Sequence, residues 1–197
     1  MKSFKKRVFT PTNFIKRFGL VGIYFPVILK SYIKPATSRA LREKIMLAVT
    51  SVNDCRYCSW AHTHLALSNG VDVDEVNEIL KHGGTPADNN SDAAAILFAQ
   101  HYADTNGKIN KDAMVELKKF YSASQIREIM GYIHTIYIGN LSGNTFDALL
   151  LRFSGKGVKI EGSQLWFELI CAVLTAPVLM SIYWKARNDK KIKLEAL

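Results

Sequence analysis

Apolar side chains through the middle of the chain recur three and four positions apart, the period of helices that bury one face. Leu41, Ile45, Ala48, Val49 and Val52 form such a stripe, with Ser38 placed to cap it and Asn53 at its end. The next helix offers Trp60, Ala61, Leu65 and Leu67 for burial and stops at Asn69-Gly70, a left-handed cap. Asp72 or Asp74 opens a short helix through Ile79 and Leu80 to His82, a C-terminal residue that suits the dipole, and Gly83-Gly84 halts it. After a loop over 83–90, Ser91 caps a helix from Asp92 to Ala103 whose apolar content predicts full burial, with His101 as an interior or interface residue. A turn at 105–110 precedes a helix over 112–121. Ser122 or Ser124 then caps a helix striped with Ile126, Ile129, Met130, Ile133, Ile136 and Tyr137, and the stripe resumes at Phe146, Leu149 and Leu150. His134 falls inside it, as a core histidine or one that reaches a neighbouring site. Gly139, Asn140, Gly143 and Asn144 allow another helix to come close. The sum is an all-α bundle.

The two ends depart from this pattern. Residues 1–37 read as an N-terminal arm: a basic lead, then an apolar run from Gly19 to Leu29 with Pro26 inside it. The order mimics a secretory leader, but Lys30 interrupts the run and no small-residue cleavage site follows. The arm's Phe14, Leu20, Ile23, Tyr24 and Phe25 are expected to pack on the core or on another subunit, with contact to a membrane surface as the rival use. Residues 38–153 form the helical core. Residues 154–197 hold a Gly/Lys linker over 154–162 and a C-terminal helix, apolar from Leu165 to Trp184 and followed by Lys185, Arg187, Lys190, Lys191 and Lys193. Length and basic flank fit a membrane span, whereas Glu168 and Pro177 inside the run favour a docked helix that extends a subunit interface.

The chain has 197 residues, 48% of them hydrophobic, enough for one core. Its net charge of +9 would suggest nucleic acid if it were spread evenly. It is not: residues 1–42 hold ten basic and no acidic residues, whereas 43–180 hold eleven basic and fifteen acidic. The core therefore offers no broad phosphate-binding face, and nucleic acid is not expected as a partner. No glycine-rich nucleotide loop or flavin fingerprint occurs, so no cofactor is expected. With three cysteines, one of them (Cys171) alone in an apolar run, the composition suits a reducing, cytoplasmic setting.

Chemistry concentrates in Cys55-Arg56-Tyr57-Cys58-Ser59-Trp60-Ala61-His62. On a helical count Cys55, Cys58 and His62 fall at roughly 0°, 300° and 340°, one narrow face. Asn53 or Asp54 as N-cap would set Cys55 in the first turn and Cys58 just behind it, where free amides and the dipole favour an anion, here a thiolate. A second Cys two residues away lets an attacked sulfur close to an intramolecular disulfide. Other readings stay open: a zinc site with His62 as third ligand and Glu43, His64 or His101 as fourth, a structural disulfide, or two buried cysteines. His64 is about 180° from the cysteine face, which disfavours it as a ligand. Glu43 alone would read as a solvated carboxylate.

Glu43, eleven residues, Cys55, two residues, Cys58, three residues, His62 resembles the motif of the AhpD-like alkylhydroperoxidases, within the carboxymuconolactone decarboxylase superfamily. The resemblance runs from about Ser38 to about Leu150 and leaves both ends uncovered. It implies an all-α, AhpD-like helical bundle acting as a homo-oligomer, and a thiol-dependent antioxidant activity that reduces hydroperoxides or disulfides at the expense of an external dithiol. By position, Cys58 resembles the attacking thiol and Cys55 the resolving one, with His62 deprotonating Cys58 and Glu43 in a relay reaching Cys55. The better-known members carry histidine where this chain has Tyr57, and a phenol does not titrate near neutral pH. A disulfide reductase without peroxidase activity is thus one alternative, and a zinc-stabilised interaction module another.

Overall fold

The computed structural model describes residues 3–81, 90–154, 159–160 and 162–187. Eight helices are described: α1 (Pro11–Ile33), α2 (Arg39–Asn53), α3 (Arg56–Ser68), α4 (Val73–Leu80), α5 (Asn90–Asp104), α6 (Lys111–Phe120), α7 (Ala123–Phe153) and α8 (Leu165–Arg187). The architecture is all-α. Among the described residues the one departure is a two-residue parallel pairing of β1 (Ser3–Phe4) with β2 (Lys159–Ile160), which ties the N-terminal arm to the segment before α8. His82, the Gly83-Gly84 stop, the middle of the expected 154–162 linker and Lys190, Lys191 and Lys193 lie outside the described residues.

Polar caps set where the helices begin. Ser38 accepts from the Leu41 amide at 3.0 Å, and Ser122 with Gln125 forms a reciprocal capping box at the head of α7. Asp72 opens α4 and Asn110 opens α6. From its capping box α7 runs unbroken for 31 residues and becomes the spine, packing against α1, α2, α3 and α8. The other central element is α2, whose buried residues are mostly apolar, with Glu43, Thr50 and Asn53 among them, and which contacts α3, α4, α5 and α7.

Several expectations need correction. The N-terminal arm is a 23-residue helix: Thr10 caps it, and Pro11 sits in the first turn, where its missing N–H costs nothing. Of its apolar residues, Phe14 and Tyr24 pack on the core while Ile23 and Phe25 stay exposed. Full burial of α5 also fails, because Leu97 is half exposed and the helix covers only one side of α2. Its first residue is Asn90, one ahead of the expected Ser91 cap. His134 is a buried core residue against Tyr24 and Tyr102, and burial, with Arg17 adding to it, lowers its pKa to about 4. His101 is only half buried, in the last turn of α5.

Two buried charges hold α1 in place. Arg17 lies 3.8 Å over the Tyr137 ring and donates to the Asn106 carbonyl at 2.8 Å, in a turn that needs left-handed backbone at Asn106 and Gly107. Glu128 of α7 takes up the α1–α2 connection. It accepts from the Ala36 and Thr37 amides, the Thr37 hydroxyl and the Tyr132 phenol at 2.6 to 3.0 Å. Burial works to raise the pKa of Glu128, but these donors outweigh it and hold the carboxyl below its ordinary value. Its stabilisation is therefore complete above the unfolded carboxylate range and lost as pH falls through the depressed folded value. Glu128→Gln should cost about 2 kcal/mol at neutral pH. The melting-temperature gap from wild type should close between neutral pH and about pH 3; a gap that persists in acid would assign the effect to packing instead.

Candidate functional site

The thiol pair owes its position to a one-residue reversal between α2 and α3. Asp54 turns left-handed (φ 55°, ψ 50°), a conformation that aspartate tolerates, and Cys55 follows in extended backbone as the N-cap of α3. This corrects the expected capping: neither Asn53 nor Asp54 caps α3. Asn53 ends α2, and its side chain bonds Asn140 instead. Cys55 makes no side-chain cap bond, so its thiol is free to donate to Cys58 Sγ, 2.8 Å away. No disulfide bond joins the two sulfurs. Cys58 sits in the first turn of α3, among amides without helical acceptors.

The two sulfurs differ in access. Cys55 is 1% exposed and buried on every side, whereas Cys58, at 8%, lines a cavity of about 520 Å³. Burial, then the neighbouring Cys58 sulfur, push the Cys55 thiol well above its ordinary pKa, and the Asp147 carboxylate adds to the shift. Cys55 is thus a protonated donor at neutral pH, and Cys58 the acceptor that faces the cavity.

His62, one turn beyond Cys58, lines the same cavity. Its Nδ1 lies 2.7 Å from Glu43 Oε2, and Arg42 Nε donates to Glu43 Oε1 at 2.8 Å. Glu43 is 1% exposed, not a solvated helix carboxylate. Burial alone would raise its pKa; the bonds and charges of His62 and Arg42 win and keep it ionised. An ionised Glu43 fixes the imidazole with Nδ1–H toward the carboxylate, which leaves Nε2 as the free base. The remaining wall is mainly apolar, from Met46, Leu65, Ile136, Leu174, Val178 and Ile182.

Tyr57 is fully buried and turned to other partners. Its hydroxyl donates to Asp147 Oδ1 at 2.6 Å and accepts from Arg56 at 2.9 Å. Burial, with Asp147 next, raises its pKa far above the phenol range, so it keeps its proton near neutral pH and cannot relay one. His64 packs on the Trp60 ring, 4.6 Å between centroids, away from the cavity lining. Among the described residues no group of three or more His, Cys, Asp and Glu is placed to hold a metal ion.

Residues that sequence reading had only as packing positions prove to build the site. Asn140 donates to Thr50 Oγ1 at 2.9 Å, and Asn144 donates to the Asn53 carbonyl at 2.7 Å and the Arg7 carbonyl at 3.1 Å. These bonds hold the α2–α3 reversal against α7. Gly143 faces Cys55 so closely that an added Cβ would lie 2.6 Å from Cys55 Sγ and 3.1 Å from Tyr57 Cδ2. At Gly139 a Cβ would meet Cys58 Sγ at an ordinary 3.8 Å. Both substitutions to alanine gain the same helix propensity, so their difference isolates the contact. Gly143→Ala should be less stable than Gly139→Ala by about 1–3 kcal/mol in urea unfolding. It should also slow closure of the Cys55–Cys58 disulfide; equal stability of the two variants would show that the sulfur gives way freely.

Comparison with known proteins adds a sequence family. Residues 27–101 match the model of the carboxymuconolactone decarboxylase family. No curated protein matches the chain. A solved structure with a partly similar backbone is that of the debrominase Bmp8, a cysteine-to-alanine variant in complex with 2,3,4-tribromopyrrole. It is 20% identical, with a TM-score of 0.49, and the match covers 64% of each chain. The matched segment runs from the end of α1 into α5 and contains Glu43, Cys55, Cys58 and His62. The motif thus lies within the stretch, residues 27–101, that matches the model of the carboxymuconolactone decarboxylase family.

Proposed function

We propose that the chain is a thiol-dependent oxidoreductase in which Cys58 attacks a hydroperoxide and Cys55 resolves the product. The observation that carries this reading is the asymmetry of the pair: a buried, protonated Cys55 donating at 2.8 Å to a Cys58 that faces the cavity. His62 Nε2 takes the proton from Cys58, with Glu43 holding the ring through Nδ1. The thiolate attacks the terminal peroxide oxygen; the O–O bond breaks, Cys58 becomes a sulfenic acid, and His62 returns the proton to the departing alkoxide as an alcohol. Cys55 then attacks the Cys58 sulfur, water leaves with the Cys55 proton, and the Cys55–Cys58 disulfide forms. An external dithiol reopens it. Glu43 reaches the reaction through His62, not through Cys55, so we place its role on orientation of the imidazole.

A second reading has one observation in its favour. With Tyr57 locked to Asp147 and Arg56, the position beside Cys58 supplies no proton carrier. The same pair can attack a disulfide sulfur instead, with the departing thiol protonated by His62 and the mixed disulfide resolved by Cys55.

The test is a free-thiol count and intact mass on reduced protein before and after one equivalent of cumene hydroperoxide. Wild type should lose two thiols and two hydrogens, Cys55→Ser should stop at a sulfenate on Cys58, and Cys58→Ser should not react. His62→Ala should slow oxidation by about 10²-fold or more. Inert thiols toward peroxide, together with turnover of an oxidised dithiol, would replace the peroxidase with the disulfide reductase. Inertness toward both would end the redox reading.

A further inference from the structure

Most of the apolar surface of this chain is gathered on two helices. Of the 25 large apolar residues exposed among the described residues, 17 lie on α1 and α8. Both helices pack on α7, Phe14 of α1 meets Phe167 of α8 at 5.5 Å between rings, and both reach the thiol cavity. Tyr32 from α1 and Leu174, Val178 and Ile182 from α8 stand in its wall, and Leu174 and Val178 are each 63% exposed. The cavity that holds Cys58 is therefore continuous with this apolar face.

The charge on the two helices has one sign. No acidic residue occurs in α1. Glu168, the single acid of α8, is fully buried with Arg152 Nε 2.7 Å away. Exposed Lys16, Lys30, Lys34 and Lys185 sit on the helices or at their ends. Exposed Tyr32, Trp166, Tyr183 and Trp184 supply rings that are apolar with a polar tip. A second copy is a poor occupant, because pairing this face with itself would bring the lysines of both copies together with no acid between them. Apolar helices flanked by lysine and interfacial aromatics match instead an anionic lipid surface.

We infer that the α1–α8 face seats on an anionic bilayer, and that the Cys58 cavity receives acyl-chain hydroperoxides from it. The substrate half of this inference rests on the proposed peroxidase function; the surface half does not. The chemistry is the step already given, with the lipid hydroperoxide reduced to its alcohol, Cys58 oxidised, and a dithiol as the final reductant.

The test uses the full chain, reduced, with vesicles of phosphatidylglycerol and phosphatidylcholine beside vesicles of phosphatidylcholine alone. Flotation should show binding to the anionic vesicles that weakens with salt. Lys16→Glu with Lys30→Glu, both away from the cavity wall, should reduce that binding by about tenfold or more. Thiol oxidation is then followed with a phospholipid hydroperoxide in the anionic vesicles and with cumene hydroperoxide in solution. Faster oxidation by the vesicle-borne peroxide in wild type than in the double variant, with equal rates toward cumene hydroperoxide, supports both halves. Oxidation by cumene hydroperoxide without vesicle binding overturns the surface and leaves the peroxidase standing; a dimer by light scattering in that case assigns the face to a second copy. Vesicle binding with thiols inert to both peroxides upholds the surface and overturns the substrate.

Discussion

The thiol pair depends on one steric constraint: α7 passes so near the α2–α3 reversal that position 143 has no room for a side chain. Glycine there lets the helix backbone serve as the wall behind Cys55, which seals that sulfur from solvent and leaves Cys58 as the accessible member. The approach is stabilised by polar bonds, not by apolar packing alone. Asn140 and Asn144 reach from α7 to Thr50 and to the carbonyl of Asn53, so the chain is held where it enters the left-handed turn at Asp54. Buried amides of this kind strengthen a structure only when their partners are in place, which makes the register of α7 on α2 unambiguous.

Two carboxylates then divide the electrostatics. Glu43, ionised between Arg42 and His62, sets the tautomer of an imidazole on the cavity wall. Asp147 takes the Tyr57 phenol and the Arg56 guanidinium and, from behind, disfavours charge on Cys55. The result is two sulfurs in contact with different burdens: one kept protonated, the other on a cavity wall that His62 shares. Thiol exchange requires that asymmetry, because attack and resolution are separate steps by separate sulfurs.

The C-terminal helix has a role within the chain that its sequence did not suggest. It was expected to extend a subunit interface, and what it does within the chain is to wall the thiol cavity with Leu174, Val178 and Ile182. Glu168, which in the sequence argued for docking, is anchored to Arg152 across the α7–α8 contact.

Local signals were legible in the sequence. The Ser38 and Ser122 caps, the apolar stripes of α2 and α7, and the spacing that puts Cys58 and His62 one turn apart all follow from short-range rules of period and hydrogen bonding. Only the family resemblance lifted Glu43 above a solvated helix carboxylate, and it implied a relay toward Cys55; the bond to His62 came from the tertiary structure. The left-handed turn at Asp54, the contact of Gly143 with Cys55, the locking of Tyr57 by Asp147 and the part of α8 in the cavity were decided only by tertiary structure. Apart from the turn itself, each joins segments far apart in the chain, about ninety residues in the case of Tyr57 and Asp147. Periodicity fixes which face of a helix is buried, but not which helix lies against it, and here the accessible sulfur, the orientation of the base and the shape of the cavity all depend on that second choice.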